Sequence, residues 1–321
     1  MEIFPDIPLE AWADSKATVH RFAQIVGKVR LAAGVRRNHW WNVPFHLTGR
    51  GTTTRPMGGL DDRTPVFAID FDFVDHRLVV NVIDGRTASF SMPGHSVASF
   101  YHELFGELNR LGIDVPIRAT PFDLEDHIPF AEDTVHRAYD TTMVTRYWQV
   151  LSQVAQVLEL YAAGFSGKIS PVHHFWHTFD IAVTRFSERR VDQEPQVDVV
   201  TREAYSREVI SAGFWFGDPD VPEPAFYSYT APEPPGLEKE PLRPPEARWK
   251  PLRGSHLAIL RYADARAAAD PRGTVLDFLR SAYEAGARRA GWDVAATYCP
   301  GGVTDPVALR AEGQAPAERP A

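Results

Sequence analysis

Val79-Val80-Asn81-Val82-Ile83-Asp84-Gly85-Arg86-Thr87-Ala88-Ser89-Phe90 reads as two strands folded back on a tight turn. Asp84-Gly85 is a hairpin signal because such turns need positive φ, which Gly adopts freely and Asp tolerates. Just upstream, Phe67, Ile69, Phe71 and Phe73 alternate with Ala68, Asp70, Asp72 and Val74, the period of two that marks a half-buried strand. A hairpin joins antiparallel neighbours, so this stretch predicts an antiparallel sheet. Helical spacing flanks it. Asp14 to Gly34 carries Val19, Phe22, Val26 and Val29 on one stripe, with Asp14 or Ser15 as cap and Gly34 as stop. Ser96 to Leu111 is a second helix, ended by Gly112.

The second half of the chain repeats this pattern. Asp140 to about Gly164 predicts a helix with Val144, Trp148, Leu151, Leu158 and Tyr161 inward, in register with the first at an offset of 126 (140 − 14, 148 − 22). Phe179, Ile181 and Val183 then alternate with Asp180, Ala182 and Thr184, and Tyr205–Ile210, Phe214–Phe216 and Phe226–Thr230 follow as strands. Thr274 to Ala290 predicts the closing helix, ended by Gly291. Asn38-His39-Trp40-Trp41 and Arg50 match His173-His174-Phe175-Trp176 and Arg185 at an offset of 135 (176 − 41, 185 − 50). Self-similarity at fixed spacing implies repeated structural units. The fold class expected is α+β, with two pseudo-repeats of α-β-β-β-β-α and mainly antiparallel sheets. Residues 1–115 form the first unit and 116–139 a connector. Residues 140–294 form the second unit, interrupted by a proline-rich insertion at 218–251 and an extra strand at His256–Tyr262. The Gly-, Pro- and Ala-rich tail 295–321 is expected to be disordered.

Composition excludes several classes of function. Hydrophobic (44%) and charged (24%) shares are those of an ordinary globular protein, and no apolar run approaches the ~18 residues of a membrane span. A net charge of −8 offers no basic footprint for nucleic acid. The N-terminus lacks the basic and apolar regions of a secretion signal, and the single Cys299 forms no internal disulfide. A cytoplasmic protein that meets neither membrane nor nucleic acid is expected.

Several residue types fit binding or catalysis. His173, His174 and His177 are the densest group of metal-ligand types, with Asp180 close by. An i,i+4 pair of histidines shares a metal on a helix, where side chains stand ~5–6 Å apart. On a strand, four residues span ~13 Å, too far for one ion. The alternation that follows favours strand, and with it histidines hydrogen-bonded at a strand entry. The residues matched between the halves, His39 with His173, Trp41 with Trp176 and Arg50 with Arg185, would suit an anionic planar ligand through stacking and bidentate hydrogen bonds. The structural alternative pairs Arg50 with Asp70 and Arg185 with Glu208. Glu203, Glu208 and Asp72 are carboxylates in apolar strands, hence candidate acid/base groups, since burial raises a carboxyl pKa. No residue pattern identifies a cofactor or an oligomeric state.

Pro8-Leu9-Glu10-Ala11-Trp12, Asn38-His39-Trp40-Trp41, Phe71-Asp72-Phe73-Val74-Asp75-His76, Ser170-Pro171-Val172-His173, Phe179 through Ser187 and Arg202-Glu203-Ala204-Tyr205-Ser206 carry a resemblance to a known family. The chain resembles a group of bacterial proteins of about this length classed as a domain of unknown function. The resemblance implies a cytoplasmic bacterial protein and brings no activity, cofactor or catalytic residue with it. In that group the positions of His174 and His177 are often not histidine, which singles out His173.

The sequence thus leads to a small-molecule enzyme or binding protein with an anionic ligand between the units or under the proline-rich strap. His173 and Glu208 would move protons there, and His39, Trp41, Arg50, Trp176 and Arg185 would hold the ligand. Two alternatives stand beside it: an interaction or scaffold protein that presents Trp215, Phe216 and the proline-rich strap, and a metal-dependent enzyme built on His173.

Overall fold

Helix α1 (Ala13–Ala33) leads into strands β1 (His46–Leu47), β2 (Gly51–Thr53), β3 (Phe67–Asp72), β4 (Arg77–Val82) and β5 (Thr87–Ser91). The strands pair in that order as an antiparallel meander, and helix α2 (Val97–Arg110) closes the first half. The structure is a computed structural model and describes residues 2–60, 64–252, 254–305 and 307–308. Burial alternates along β3, β4 and β5, with Phe67, Ile69 and Phe71 inward. On the open face Asn81 Nδ2 donates to Asp70 Oδ2 at 2.9 Å. The turn at Asp84-Gly85 forms, with Gly85 at φ 90°. Phe22 of α1 stacks on Phe100 of α2, ring centroids 3.9 Å apart, and fixes the two helices together. Ser96 caps α2 in a reciprocal capping box with Ser99. Neither Asp14 nor Ser15 caps α1, which starts behind Trp12. Ser15 Oγ instead accepts the N–H of Asp140 at 2.9 Å and ties the first half to the second.

The second half opens with α3 (Thr141–Ala163), capped by Asp140. It continues through β6 (His173–Phe175), β7 (Asp180–Arg190), the short α4 (Val199–Ala204), β8 (Arg207–Trp215), β9 (Ala225–Ala231), β10 (Arg248–Leu252) and β11 (Ser255–Arg261). Helices α5 (Tyr262–Ala267), α6 (Pro271–Arg289) and α7 (Val294–Thr297) end it. The sheet is antiparallel with spatial order β10-β11-β9-β8-β7-β6. The class is α+β.

The halves hold five and six strands, where four, and four with the extra strand at 256–262, are expected. Tyr205–Ile210 and Phe214–Phe216 merge into the single strand β8, whose Gly213 makes room for the Tyr227 ring instead of breaking the strand. Helix α6 begins three residues before Thr274, because Asp270 caps it and Pro271 takes the first turn, where a missing N–H costs nothing. The proline-rich stretch is not merely irregular, since β9 and most of β10 lie within it. The expected disordered tail is ordered at its start. Phe165 bridges Tyr298, Cys299 is buried, and a short turn covers Pro300–Gly302. Residues 306 and 309–321 of that expectation lie outside the described residues. Among the described residues, no helix is long and apolar enough to cross a membrane.

One face of β7–β9 packs on α3 and α6, where Gly286 meets Ile210 and Thr230. Both faces are buried, so β7 shows a nearly continuous buried run instead of the expected alternation. On the face away from these helices the hydroxyl of Tyr227 donates to the buried Asp180, which also accepts from Thr178. Thr184 bonds Ser211 at 2.9 Å, and Tyr205 bonds Tyr229 at 3.0 Å.

Candidate functional site

The first strands of the two halves meet edge to edge. Phe45 N–H donates to His174 O at 2.8 Å, and His174 N–H donates back to Phe45 O at 3.1 Å. Antiparallel register then sets His46 opposite His173, in a non-hydrogen-bonded pair whose side chains stand close on one face. Their ring centroids are 5.3 Å apart. Phe45 and His174 point the other way, into the core. There His174 Nδ1 donates to the carbonyl of Asp180 (2.9 Å), which leaves Nε2 to accept from the Tyr147 hydroxyl (2.6 Å). One residue pair thus divides the seam into an apolar side and a polar one.

On the polar side lies a cleft of about 220 Å³. Arg30 reaches it from the last turn of α1, Arg37 from the following loop, and Arg55 from the residues after β2. Trp41, His46 and His173 complete its polar and aromatic wall. Arg55 takes a left-handed φ of 61°, held by its N–H donating to Thr53 Oγ1 at 3.0 Å. No Asp or Glu is among the described lining residues, and none of the three arginines has a carboxylate partner among the described residues. Arg30 Nη1 donates to Pro56 O at 3.3 Å, while its buried Nε is unpaired. His173 is 1% exposed and neither ring nitrogen has a hydrogen-bond partner.

This environment is hostile to further positive charge. Burial, reinforced by Arg55 and Arg30, pushes His46 down to about 4. Burial, with His46, Arg55 and Arg37, pushes His173 down to about 3. Both imidazoles are therefore neutral at neutral pH, beside guanidiniums that stay charged.

Of the residues expected at a site, Trp41 and His173 meet in this cleft. His39 lies just outside, its ring 5.8 Å from Trp41. It takes φ 54°, its Nδ1 donates to Glu203 O at 3.2 Å, and its Nε2 accepts from Lys168 Nζ at 2.7 Å. The other four go elsewhere. Arg50 is exposed and forks onto Asp72 (2.7 Å) and Asp75 (2.6 Å), not Asp70. Trp176 packs on Gly27 of α1, and its Nε1 donates to Val43 O at 3.1 Å. Arg185 is buried in a cage of Tyr161, Phe165 and Tyr283, its guanidinium carbon 3.8, 4.9 and 4.2 Å from their ring centroids. Its Nη2 donates to Tyr161 O at 2.6 Å. Glu208 accepts from Arg189 (2.8 Å), Trp292 Nε1 (2.8 Å) and Ser187 Oγ (2.9 Å), so it neither meets Arg185 nor lines the cleft. Glu203 lies in α4 rather than in a strand.

The histidine-rich segment also differs from expectation. His173 lies on β6 and His177 follows that strand, so no helical turn brings the two together. His173 itself lacks the hydrogen bonds expected of a histidine at a strand entry. Asp180 is occupied by two hydroxyls. Among the described residues, metal-competent ligand atoms gather instead at Glu233, Glu238 and His256. His256 Nδ1 there already bonds Glu233 Oε1 at 2.7 Å. For a surface-presenting role, Phe216 is unsuited, being fully buried.

Sequence reasoning missed Arg30, Arg37, His46 and Arg55. The available signal was weak: several cations near the end of α1 and after β2, with no acid beside them until Asp61.

Residues 4–299 match the model of a family of unknown function, DUF5996. The chain belongs to this family. Comparison with curated proteins and with solved structures finds no match.

Proposed function

We propose that this member of DUF5996 binds a small anionic molecule in the arginine-lined cleft between its two halves, with the neutral imidazole of His173 in its wall. The observation that carries this reading is charge without compensation: Arg30, Arg37 and Arg55 face one cleft, and none has a carboxylate partner among the described residues. Like charges gathered in a concavity with low-dielectric walls focus a positive potential and draw anions in. Guanidinium forks match carboxylate or phosphate oxygens two at a time. Trp41 offers a flat wall for the rest of the ligand. His173, whose two ring nitrogens are buried and unpaired, lines the same cleft. On this reading the halves are copies of one unit, since α1 and α3 begin 128 residues apart (141 − 13) and β1 and β6 begin 127 apart (173 − 46).

Thermal melting at constant ionic strength tests it, with sulfate, phosphate, oxalate and citrate each set against chloride. At least one of these anions is expected to raise the melting temperature saturably, and Arg37→Ala combined with Arg55→Ala is expected to abolish that rise. Stabilisation absent for all four, or undiminished in the double variant, overturns the proposal.

A further inference from the structure

We infer that the anionic group taken by the cleft is a phosphate monoester carrying a short, flat organic remainder; the inference rests on the anion-binding reading given above. Charge stoichiometry is the first argument. A single carboxylate brings one negative charge to three guanidiniums, whereas a phosphomonoester brings about 1.5 to 2 and three acceptor oxygens. The second argument is the origin of the donors. Arg30, Arg37 and Arg55 come from three separate chain segments, a helix end, a loop and the residues after a strand. One planar carboxylate is saturated by a single fork, while a tetrahedral group presents oxygens in several directions.

The neutral imidazoles point the same way. Each neutral ring retains one N–H to donate, and His173 spends neither nitrogen on the protein. A carboxylate in the wall would repel a dianion, and none is among the described lining residues.

Size sets the remainder. The cleft of about 220 Å³ lies below the roughly 300–1,000 Å³ of pockets that take drug-sized ligands. A phosphate group fills only part of the cleft. The rest of the wall is Trp41, Met57, Val66 and Pro171, apolar surface suited to a ring or short chain rather than to a polymer.

Calorimetric titration of the full chain with phenyl phosphate, inorganic phosphate, benzoate and phenol separates these claims. Phenyl phosphate is expected to bind at least tenfold more tightly than benzoate or inorganic phosphate, and phenol not at all. Arg55→Gln should weaken phenyl phosphate by tenfold or more. Trp41→Ala should weaken phenyl phosphate while leaving inorganic phosphate unchanged. Arg37→Gln, on an exposed loop residue, supplies a second variant whose fold circular dichroism verifies. Benzoate binding as tightly as phenyl phosphate would overturn the phosphate assignment and leave anion binding standing. Inorganic phosphate matching phenyl phosphate would overturn the organic remainder. No binding by any of the three anions would overturn this inference, while the separate melting series decides anion binding itself.

Discussion

His46 and His173 face each other across the seam with their ring planes at 83° and neither ring charged at neutral pH. The consequence for stability has a definite sign. In the unfolded chain each imidazole takes up its proton near the ordinary value of 6.5, whereas in the fold they resist until about 4 and about 3. His20, buried beside Phe179 and held down to about 3 mainly by burial, behaves alike. Between pH 6.5 and about 4 the unfolded state therefore binds more protons, and stability falls as the pH falls. The slope is about 1.4 kcal/mol per pH unit for each such group. Urea unfolding at pH 7.5, 6 and 5 should show this fall, and His173→Gln should flatten it by about one proton. An unchanged slope in that variant would contradict the burial argument.

The same groups couple ligand to proton. An anion in the cleft favours the charged form of a nearby imidazole, so it raises the lowered values of His46 and His173. Affinity for sulfate, which stays a dianion over this range, should therefore increase as the pH drops from 7 to 5. Titrations in buffers of different ionisation enthalpy should report net proton uptake on binding.

Trp176 fills the space above Gly27, where a methyl group would overlap the indole. Replacing a mid-helix glycine by alanine ordinarily stabilises by about 1 kcal/mol. Here overpacking, typically 1–3 kcal/mol, outweighs that gain. Gly27→Ala should lower the urea midpoint, and a higher midpoint would show that the indole moves aside freely.

Arg185 tests whether its cage is structural. Lysine cannot reproduce the planar stacking of a guanidinium between aromatic rings. Arg185→Lys, at a residue 4% exposed, should destabilise by about 2 kcal/mol or more, within the range of desolvated cation–π and charged hydrogen-bond losses. Anion affinity should remain unchanged, because Arg185 does not line the cleft.

Asp180 accepts from the hydroxyls of Tyr227 and Thr178 on its two oxygens. Asp180→Asn turns one acceptor into a donor that faces a hydroxyl. A cost of about 1–3 kcal/mol is expected, that of leaving buried polar groups mismatched. Chemical denaturation measures it.

The elements the sequence made legible are those with local causes. The alternation in Phe67–Asp72, the Asp84-Gly85 turn and the caps at Ser96 and Asp140 lie within a few residues of what they determine. The site is the opposite case. Arg30, Arg55 and His173 converge only because β1 and β6 pair at Phe45 and His174, a contact 129 residues long in sequence (174 − 45) that no local pattern encodes. The offset of 135 also misled. It aligned Trp41 with Trp176 and Arg50 with Arg185, yet Trp41 precedes β1 while Trp176 follows β6, and Arg50 sits in a turn while Arg185 is mid-strand. Like residue types recurred at a spacing close to, but out of step with, that of the elements.

The bridge from Phe45, just before β1, to His174 of β6 also brings one rim of each sheet together, so that among the described residues the remaining sheet edges are β5 and β10. An open edge invites another chain to add a strand. The β10 rim carries Arg248, Lys250 and Pro251, two cations and a residue without an N–H, which discourage such growth. The meeting of the halves that creates the cleft thereby also withdraws two rims at which a further strand could add, and among the described residues β5 is the remaining sheet edge without a charge or proline on it.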